Sequence, residues 1–181
     1  MLLHKSGSGY GMRSVAGPFS LTALLCGMLT LLPSVTVCGA NENGNASYVD
    51  PFIGTEGGGN VFPGACVPFG MVKLGPDCGN MEWNAGWAPD GNIHGFSHTH
   101  VSGTGGGCKY GNILMLPMTG VIDLSDYSSP RKNEQASVGE YSVELTRYGT
   151  SARLTALDRA ALHEYTFPAA TDSRILFDMG S

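Results

Sequence analysis

Glycine and proline crowd the segment from Gly54 to Gly111, which contains 16 glycines and four prolines. Glycine weakens helices and proline breaks them, so a segment this rich in both is not expected to hold a long helix. The same residues favour tight turns, bulges and close approaches of the backbone. The sequence therefore predicts short strands joined by loops in this part of the chain.

Two apolar runs in and after this segment are candidate strands. The first is VPFGMVKL, residues 67–74, and the second is NILMLPMTGVIDL, residues 112–124. We expect the second run to break near Pro117, because proline cannot donate a hydrogen bond to a sheet ladder.

The pattern changes after residue 138, where apolar and polar side chains alternate. Tyr141, Val143 and Leu145 fall on one face of a strand, and the segment YGT turns the chain into a second alternating run. The segments ALHEYTF and RILFDM are typical of two further strands. No stretch of ten or more residues keeps a helical period. The predicted fold class is therefore mainly β, an antiparallel β-sandwich.

The first 40 residues have the features of a secretory signal peptide. Lys5 and Arg13 give a basic start, an apolar run of 13 residues covers 20–32, and small residues lead to Ala40. An uncleaved anchor and a lipoprotein signal at Cys38 are the alternatives. We expect a secreted, periplasmic or cell-surface protein, with any membrane attachment made through a lipid or the uncleaved signal.

The rest of the chain divides into a linker and one domain. Residues 41–47, NENGNAS, are polar and form the linker, and residues 48–181 form the domain. The final residues, RILFDMGS, end inside or just after a predicted strand. We therefore expect the domain to be truncated at its C-terminal end.

Charge and cysteine content exclude some classes of function. The chain has 10 Lys and Arg residues against 15 Asp and Glu residues, and no basic patch is visible, so nucleic acid is not an expected partner. Cys66, Cys78 and Cys108 follow the leader, and their odd number leaves room for one disulfide but not a full framework. They lack the paired C-x-x-C spacing of a zinc site.

The segment GFSHTHVSGTGGGCKYGN, residues 95–112, places His98 and His100 before a run of glycines. An H-x-H spacing suits zinc or copper, but no carboxylate stands at an obvious spacing. The glycines offer backbone N–H groups to a phosphate, but no Lys-Ser/Thr follows as in a P-loop. In the third interpretation the imidazoles hydrogen-bond to backbone and hydroxyl groups and shape a pocket.

A sugar site is the interpretation that uses the neighbouring segment as well. MEWNAGW, residues 81–87, contains Trp83 and Trp87, the only tryptophans, with Glu82 and Asn84 beside Trp83. A planar aromatic ring covers the apolar face of a sugar, and polar groups bond to its hydroxyls. A core position is the competing interpretation for Trp87, and less so for Trp83, which has polar neighbours.

Several of these segments together resemble the start of glycoside hydrolase family 92, an α-mannosidase family abundant in gut Bacteroidetes. The resemblance is carried by residues 48–77, YVDPFIGTEGGGNVFPGACVPFGMVKLGPD, and 95–117, GFSHTHVSGTGGGCKYGNILMLP. HEYTFP at 163–168 and ILFDMGS at 175–181 also look like its later strands.

The resemblance implies a two-domain enzyme about four times as long, with an N-terminal β-sandwich and a C-terminal (α/α)6 barrel. It implies exo-acting, calcium-dependent, inverting cleavage of α-mannosides, with mannose-containing glycans as partners. By the same resemblance, the catalytic acid and base and most calcium contacts are expected in the helical domain, so no catalytic residue or metal ligand is assigned in this chain.

On the sandwich side, the family's W-x-x-G-aromatic loop matches Trp83 to Trp87. This implies a substrate-binding role for Trp83, with Asn84 and Glu82 beside it, and His98 and His100 are candidates for shaping the same cleft. The family often has Cys-Ser-Gly-Tyr after its tryptophan, where this chain has Asn84, Ala85, Gly86 and Trp87. The linkage preference therefore stays open.

Two other classes of function stay open beside the enzyme. One is a non-catalytic carbohydrate-binding or structural β-sandwich, and the other is a zinc-binding surface protein. The reading frame after codon 181 separates the first from the enzyme, and metal analysis tests the second.

Overall fold

The structure is a computed structural model, and it describes residues 44–57, 59–78, 86–101, 113–169 and 172–179. These residues all belong to one compact unit that covers Gly39–Ser181. The predicted signal peptide, residues 1–40, lies outside the described residues, as does the first half of the linker. The domain boundaries therefore stay predictions.

Two sheets account for nearly all of the regular structure, and every named pair of neighbouring strands is antiparallel. The first sheet has the strand order β1-β2-β3-β4-β9 and the second has the order β5-β6-β7-β8. One 3-10 turn, Asn45–Tyr48, precedes the strands. No helix within the described ranges is long and apolar enough to cross a membrane. The strands are β1 Ala65–Cys66, β2 Lys73–Cys78, β3 Ile93–Ser97, β4 Leu114–Met118, β5 Arg131–Ser137, β6 Glu140–Leu145, β7 Thr150–Ala156, β8 Ala161–Thr166 and β9 Arg174–Asp178.

Aromatic side chains from the two sheets meet in the core. The Phe96 ring on β3 is fully buried, and its centroid lies 6.5 Å from that of Tyr141 and 6.3 Å from that of Tyr165. These tyrosines stand on β6 and β8, so the contacts join the first sheet to the second. The predicted antiparallel β-sandwich is confirmed.

The alternating segments after residue 138 form the strands that they predict. Tyr141, Val143 and Leu145 are buried on β6, and the chain turns before β7, which buries every second side chain from Thr150. ALHEYTF and RILFDM supply β8 and β9.

The two candidate strands in the glycine-rich part are only partly right. Residues 67–70 form a turn closed by a hydrogen bond from the Gly70 N–H to the Val67 carbonyl, and the strand begins at Lys73. Pro117 does not break β4 but pairs with Ile175 of β9. The ladder between β4 and β3 has a single residue pair, so a proline removes few ladder bonds on that side.

A β-bulge re-aims the side chains of β5. Lys132 pairs with Glu144 and Gln135 pairs with Ser142, so two residues of β5 stand opposite Val143 alone. The extra residue is accommodated at Asn133, whose φ of 50° lies in the left-handed region. The bulge places Glu134 on the same face as Arg131, three positions earlier, where strict alternation would have placed Asn133.

Candidate functional site

His100 is buried beside β2 and β3, with 3% of its surface exposed. Its Nδ1 lies 2.8 Å from the Lys73 carbonyl oxygen and its Nε2 lies 3.1 Å from Asp77 Oδ1. Both partners are acceptors, so both ring nitrogens donate, which is the imidazolium form. The Phe62 ring stacks on the imidazole at 4.5 Å between centroids. We call these residues the His100 cluster.

The positive charge on His100 is stabilised by Asp77 and by nearby backbone carbonyls. Burial works to lower the pKa of His100, but the Asp77 carboxylate and the backbone carbonyls outweigh it and raise the pKa above its usual value. Asp77 is equally buried, and its second oxygen, Oδ2, has no hydrogen-bond partner within the described part of the chain. The cluster therefore holds a buried ion pair with one carboxylate oxygen free to accept a further bond.

Ser97 completes a set of residues that resembles a hydrolase triad in composition but not in geometry. Its hydroxyl lies 3.4 Å from His100 Nε2, the same nitrogen that contacts Asp77. A serine nucleophile and its orienting carboxylate must bond to opposite ring nitrogens. The arrangement therefore suits a structural role and not nucleophilic catalysis.

His98 belongs to a different network, which crosses from the first sheet to the second. Its Nδ1 lies 3.0 Å from the Ile113 carbonyl, and its Nε2 lies 3.0 Å from His163 Nε2 on β8. The second nitrogen of His163 lies 2.8 Å from the Tyr165 hydroxyl. The carbonyl requires a proton on His98 Nδ1, so His163 donates through Nε2 and Tyr165 donates to His163. The two facing Nε2 atoms share a single proton, so this contact cannot form when both imidazoles are protonated.

This histidine pair predicts a loss of stability in acid. Burial and the nearby His98 lower the pKa of His163 to about 4. In the unfolded chain His163 binds a proton below its ordinary pKa of about 6.5. In the folded chain it binds one only near pH 4. The free energy of unfolding therefore falls as the pH drops from about 6.5 towards 4. Melting temperatures measured across this range should fall more steeply for the native chain than for His163→Phe.

His100 also makes stability depend on pH, in the opposite direction, because its pKa is raised. Both proteins retain His100, so its effect is the same in both and cancels in the comparison. The contribution of His100 to stability is fully present below the pKa that it has in the unfolded chain. This contribution is lost as the pH rises through the higher pKa that His100 has in the folded chain. A His163→Phe variant with the same acid slope as the native chain would contradict the predicted role of the pair.

A third group, of largely buried polar side chains, which we call the Arg131 cluster, joins β5 to the residues around Trp87. The Arg131 guanidinium donates Nη1 to Cys78 Sγ at 2.9 Å and Nη2 to the carbonyls of Ala88 and Pro89 at 2.6 Å and 2.7 Å. It also lies 5.0 Å from the centre of the Trp87 ring. One side chain thus contacts residues on both sides of the segment 79–86.

Glu134 is the acceptor at the centre of the Arg131 cluster. Its Oε2 lies 3.2 Å from Arg131 Nε, and its Oε1 accepts from Trp87 Nε1 at 2.9 Å and from the Tyr141 hydroxyl at 2.6 Å. Burial, and then the Glu134 charge, raise the pKa of Tyr141 well above its usual range, so the hydroxyl stays a donor. The ion pair is therefore satisfied on both sides, as a buried pair requires.

The described cysteines are both free thiols. Cys66 is exposed and Cys78 is buried, while Cys108 lies outside the described residues. Burial raises the pKa of the Cys78 thiol to about 11 against the opposing effect of Arg131, so the sulfur accepts the Arg131 bond as a neutral thiol.

The predicted site residues are only partly visible in the structure. Glu82, Trp83 and Asn84 lie outside the described residues, so their role in sugar binding stays a prediction. The structure places His98 and His100, and it assigns them to separate networks in which all four ring nitrogens have partners.

Three residues of these networks were missed by sequence reasoning. Arg131 and Glu134 stand in RKNEQAS, which has no apolar alternation to mark a strand, and the sequence of ALHEYTF predicts a strand but no partner for His163. His163 and Tyr165 face inward on β8, two positions apart, as the period of two on a strand requires. This alternation is the sequence signal that could have identified them.

Comparison with known proteins places these observations in a family. Residues 48–181 match the family model described as the glycosyl hydrolase family 92 N-terminal domain. A relative from Arthroderma benhamiae, described as an uncharacterized secreted glycosidase, is 35% identical over 153 residues, which are 78% of this chain and 20% of that protein.

Solved structures agree with the sequence match. A family 92 α-mannosidase from Bacteroides thetaiotaomicron, in complex with mannoimidazole, has a TM-score of 0.70 and 36% identity over 74% of this chain and 19% of its own. A further family 92 glycosyl hydrolase has a TM-score of 0.62 and 29% identity over 75% of this chain and 20% of its own. The chain thus spans about a fifth of the length of the relatives that it matches.

Proposed function

Because the chain belongs to glycoside hydrolase family 92 through its N-terminal domain, we propose that it is the N-terminal part of an exo-acting, inverting α-mannosidase. Its substrates are the terminal α-mannosides of glycans, and the chain supplies one wall of the sugar pocket. The observation that carries the proposal is the family match over residues 48–181, together with solved relatives that are α-mannosidases, one of them holding mannoimidazole.

Within the pocket, the residues of this chain bind and orient the sugar. Trp83 offers a flat apolar ring to one sugar face, and Glu82 and Asn84 offer hydrogen bonds to hydroxyl groups. His98 and His100 shape the wall through the networks that hold the strands behind it. The support for this assignment is the match of the loop to the family and the burial of His100, which suits positioning better than direct contact.

The chemistry of inversion requires two carboxyl groups about 6.5–9.5 Å apart. One protonates the glycosidic oxygen as the bond to the leaving group breaks, and the other takes a proton from the water that attacks the anomeric carbon from the opposite face. We propose that both groups come from the part of the enzyme beyond this chain.

Calcium is the cofactor that the family resemblance implies, held mainly by that other part. Within the described ranges, no three His, Cys, Asp or Glu side chains are grouped as a metal site requires. No step proposed for the residues of this chain involves the ion.

The proposed location is outside the cytoplasm. The signal-like first 40 residues support it, and the Arthroderma relative is itself described as secreted. Export would bring the enzyme to extracellular or periplasmic glycans.

We predict that the protein of the complete reading frame releases mannose from an α-mannobiose, whereas residues 41–181 alone do not. Proton NMR of the first-formed product should show β-mannose, because inversion turns an α-linkage into the β-anomer. First-formed α-mannose would refute inversion, and turnover by residues 41–181 alone would move the catalytic pair into this chain. Sugar binding without turnover by the complete protein would favour the non-catalytic alternative.

A further inference from the structure

Two neighbouring turns, residues 67–70 and the turn between β7 and β8, carry exposed apolar side chains. Phe69 is fully exposed, and Met71, Leu157 and Leu162 are 70%, 69% and 65% exposed. We call these four residues the Phe69 patch. We propose that the Phe69 patch is the surface on which the part of the enzyme beyond this chain docks, with the Phe69 ring as its anchor.

Backbone hydrogen bonds hold the two turns together. The N–H groups of Met71 and Val72 donate to the Asp158 carbonyl at 2.8 Å and 3.2 Å. The second turn is closed by a bond of 2.8 Å from the Leu157 N–H to the Ala160 carbonyl. Met71 is one of the donors and Leu157 directly precedes the acceptor, so the apolar side chains of the two turns come from neighbouring backbone. They form one surface, although they are far apart in sequence.

Phe69 has a backbone conformation that its own domain does not explain. Its φ of 62° lies in the left-handed region, which is uncommon for a bulky residue. The turn is nevertheless fixed, because the Gly70 N–H bonds to the Val67 carbonyl at 3.0 Å and a Cβ at Gly70 would lie 2.7 Å from the Val67 side chain. An exposed turn of this kind usually carries glycine, asparagine or aspartate. A bulky apolar residue that breaks such a local rule is expected at a functional site.

The length of the family's members identifies the occupant. This chain spans about a fifth of the relatives that it matches, so most of an enzyme of that length lies outside it. Interfaces between domains bury about 600–1,500 Å², and protein interfaces are enriched in aromatic residues and methionine at the centre and in polar groups at the rim. The Phe69 patch supplies a phenyl ring and a methionine, and the exposed Asp158 and Arg159 supply a polar rim. This argument rests on the family match and not on the cleavage of mannosides.

The competing explanation is that Phe69 is an incidental surface residue, since single exposed apolar side chains are common. The left-handed backbone separates the two explanations, because they predict changes of opposite sign. Phe69→Asn removes the ring and places in the turn a residue that tolerates this φ. If the ring contacts nothing, the melting temperature of the complete protein should stay the same or rise. If the ring is an anchor, the melting temperature should fall.

The measurement uses the protein of the complete reading frame, because within this chain the Phe69 ring is fully exposed and its loss should have little effect on stability. The matched control is Val138→Asn at the turn between β5 and β6, where the valine is 56% exposed and lies outside the patch. We expect a lower melting temperature for Phe69→Asn and an unchanged one for Val138→Asn. A Phe69→Asn protein that melts at or above the native temperature would overturn the proposal.

Hydroxyl-radical labelling of the native complete protein gives a second readout that needs no variant, and it decides if Phe69→Asn does not fold. Phe69 and Met71 should be labelled more slowly in the folded protein than in the same protein unfolded in urea. Equal labelling in the two states would show that the patch is uncovered and would overturn the proposal.

Sedimentation velocity separates docking within one enzyme from docking of a second copy. A monomer with slowly labelled Phe69 supports the proposal. A dimer that Phe69→Asn converts to monomers would assign the patch to a second copy and overturn it. If the complete protein cleaves no mannoside, the proposed function fails, and the labelling still decides the role of the Phe69 patch.

Discussion

Replacing Trp87 with alanine is expected to lower the free energy of unfolding by about 3–5 kcal/mol, the usual cost of removing a buried aromatic side chain. Trp87 is 3% exposed, packs on Phe52 at 5.9 Å between ring centroids, and donates to Glu134 at 2.9 Å. Its removal leaves a cavity and takes one hydrogen-bond donor from the partly buried Glu134 carboxylate. Since domains are stable by about 5–15 kcal/mol, the variant should melt far below the native chain.

Phe69 is the matched control for this measurement. It is also aromatic, but its side chain is fully exposed, so Phe69→Ala should change stability by less than about 0.5 kcal/mol. Urea denaturation of both variants gives the comparison. A Trp87→Ala loss as small as that of the control would contradict the core position of Trp87.

The sandwich could be predicted from sequence wherever one face of a strand is buried and the other is not. Tyr141, Val143 and Leu145 show this alternation, and the strand they predict is the one observed. Strand β5 could not be found in this way, because RKNEQAS is polar apart from Ala136 and its period of two is interrupted by the bulge at Asn133. The inward positions of Arg131 and Glu134 depend on that bulge, which the local sequence does not predict.

The candidate site was predictable in its segments but not in its contacts. The H-x-H spacing marks His98 and His100 as candidate site residues, but their hydrogen-bond partners lie far away in the sequence. Asp77 is 23 positions from His100, and His163 is 65 positions from His98. Such pairs form only when strands from different parts of the sequence are brought together, so their protonation states follow from the tertiary fold and not from the spacing.

The two tryptophans illustrate the same limit. They stand four positions apart in MEWNAGW, and the sequence alone allows either indole ring to contact a sugar. The structure assigns Trp87 to the core, where it is part of the Arg131 cluster. Trp83, between Glu82 and Asn84, lies outside the described residues, and its contact with a sugar stays a proposal. Under that proposal, replacing the two residues should have opposite effects on activity and on stability.

Trp83→Ala in the complete enzyme should therefore lower kcat/KM for mannoside cleavage at least tenfold, equivalent to about 1.4 kcal/mol of transition-state stabilisation. The loss follows from removing the flat apolar surface on which the sugar is oriented. If Trp83 contacts the sugar and does not pack in the core, the melting temperature should change little, because truncating a surface side chain usually costs less than about 0.5 kcal/mol. Trp87→Ala, measured alongside, should show the reverse pattern of lost stability. A large fall in the melting temperature of Trp83→Ala, with normal activity per folded molecule, would show that Trp83 is a packing residue and that the sugar contacts lie elsewhere.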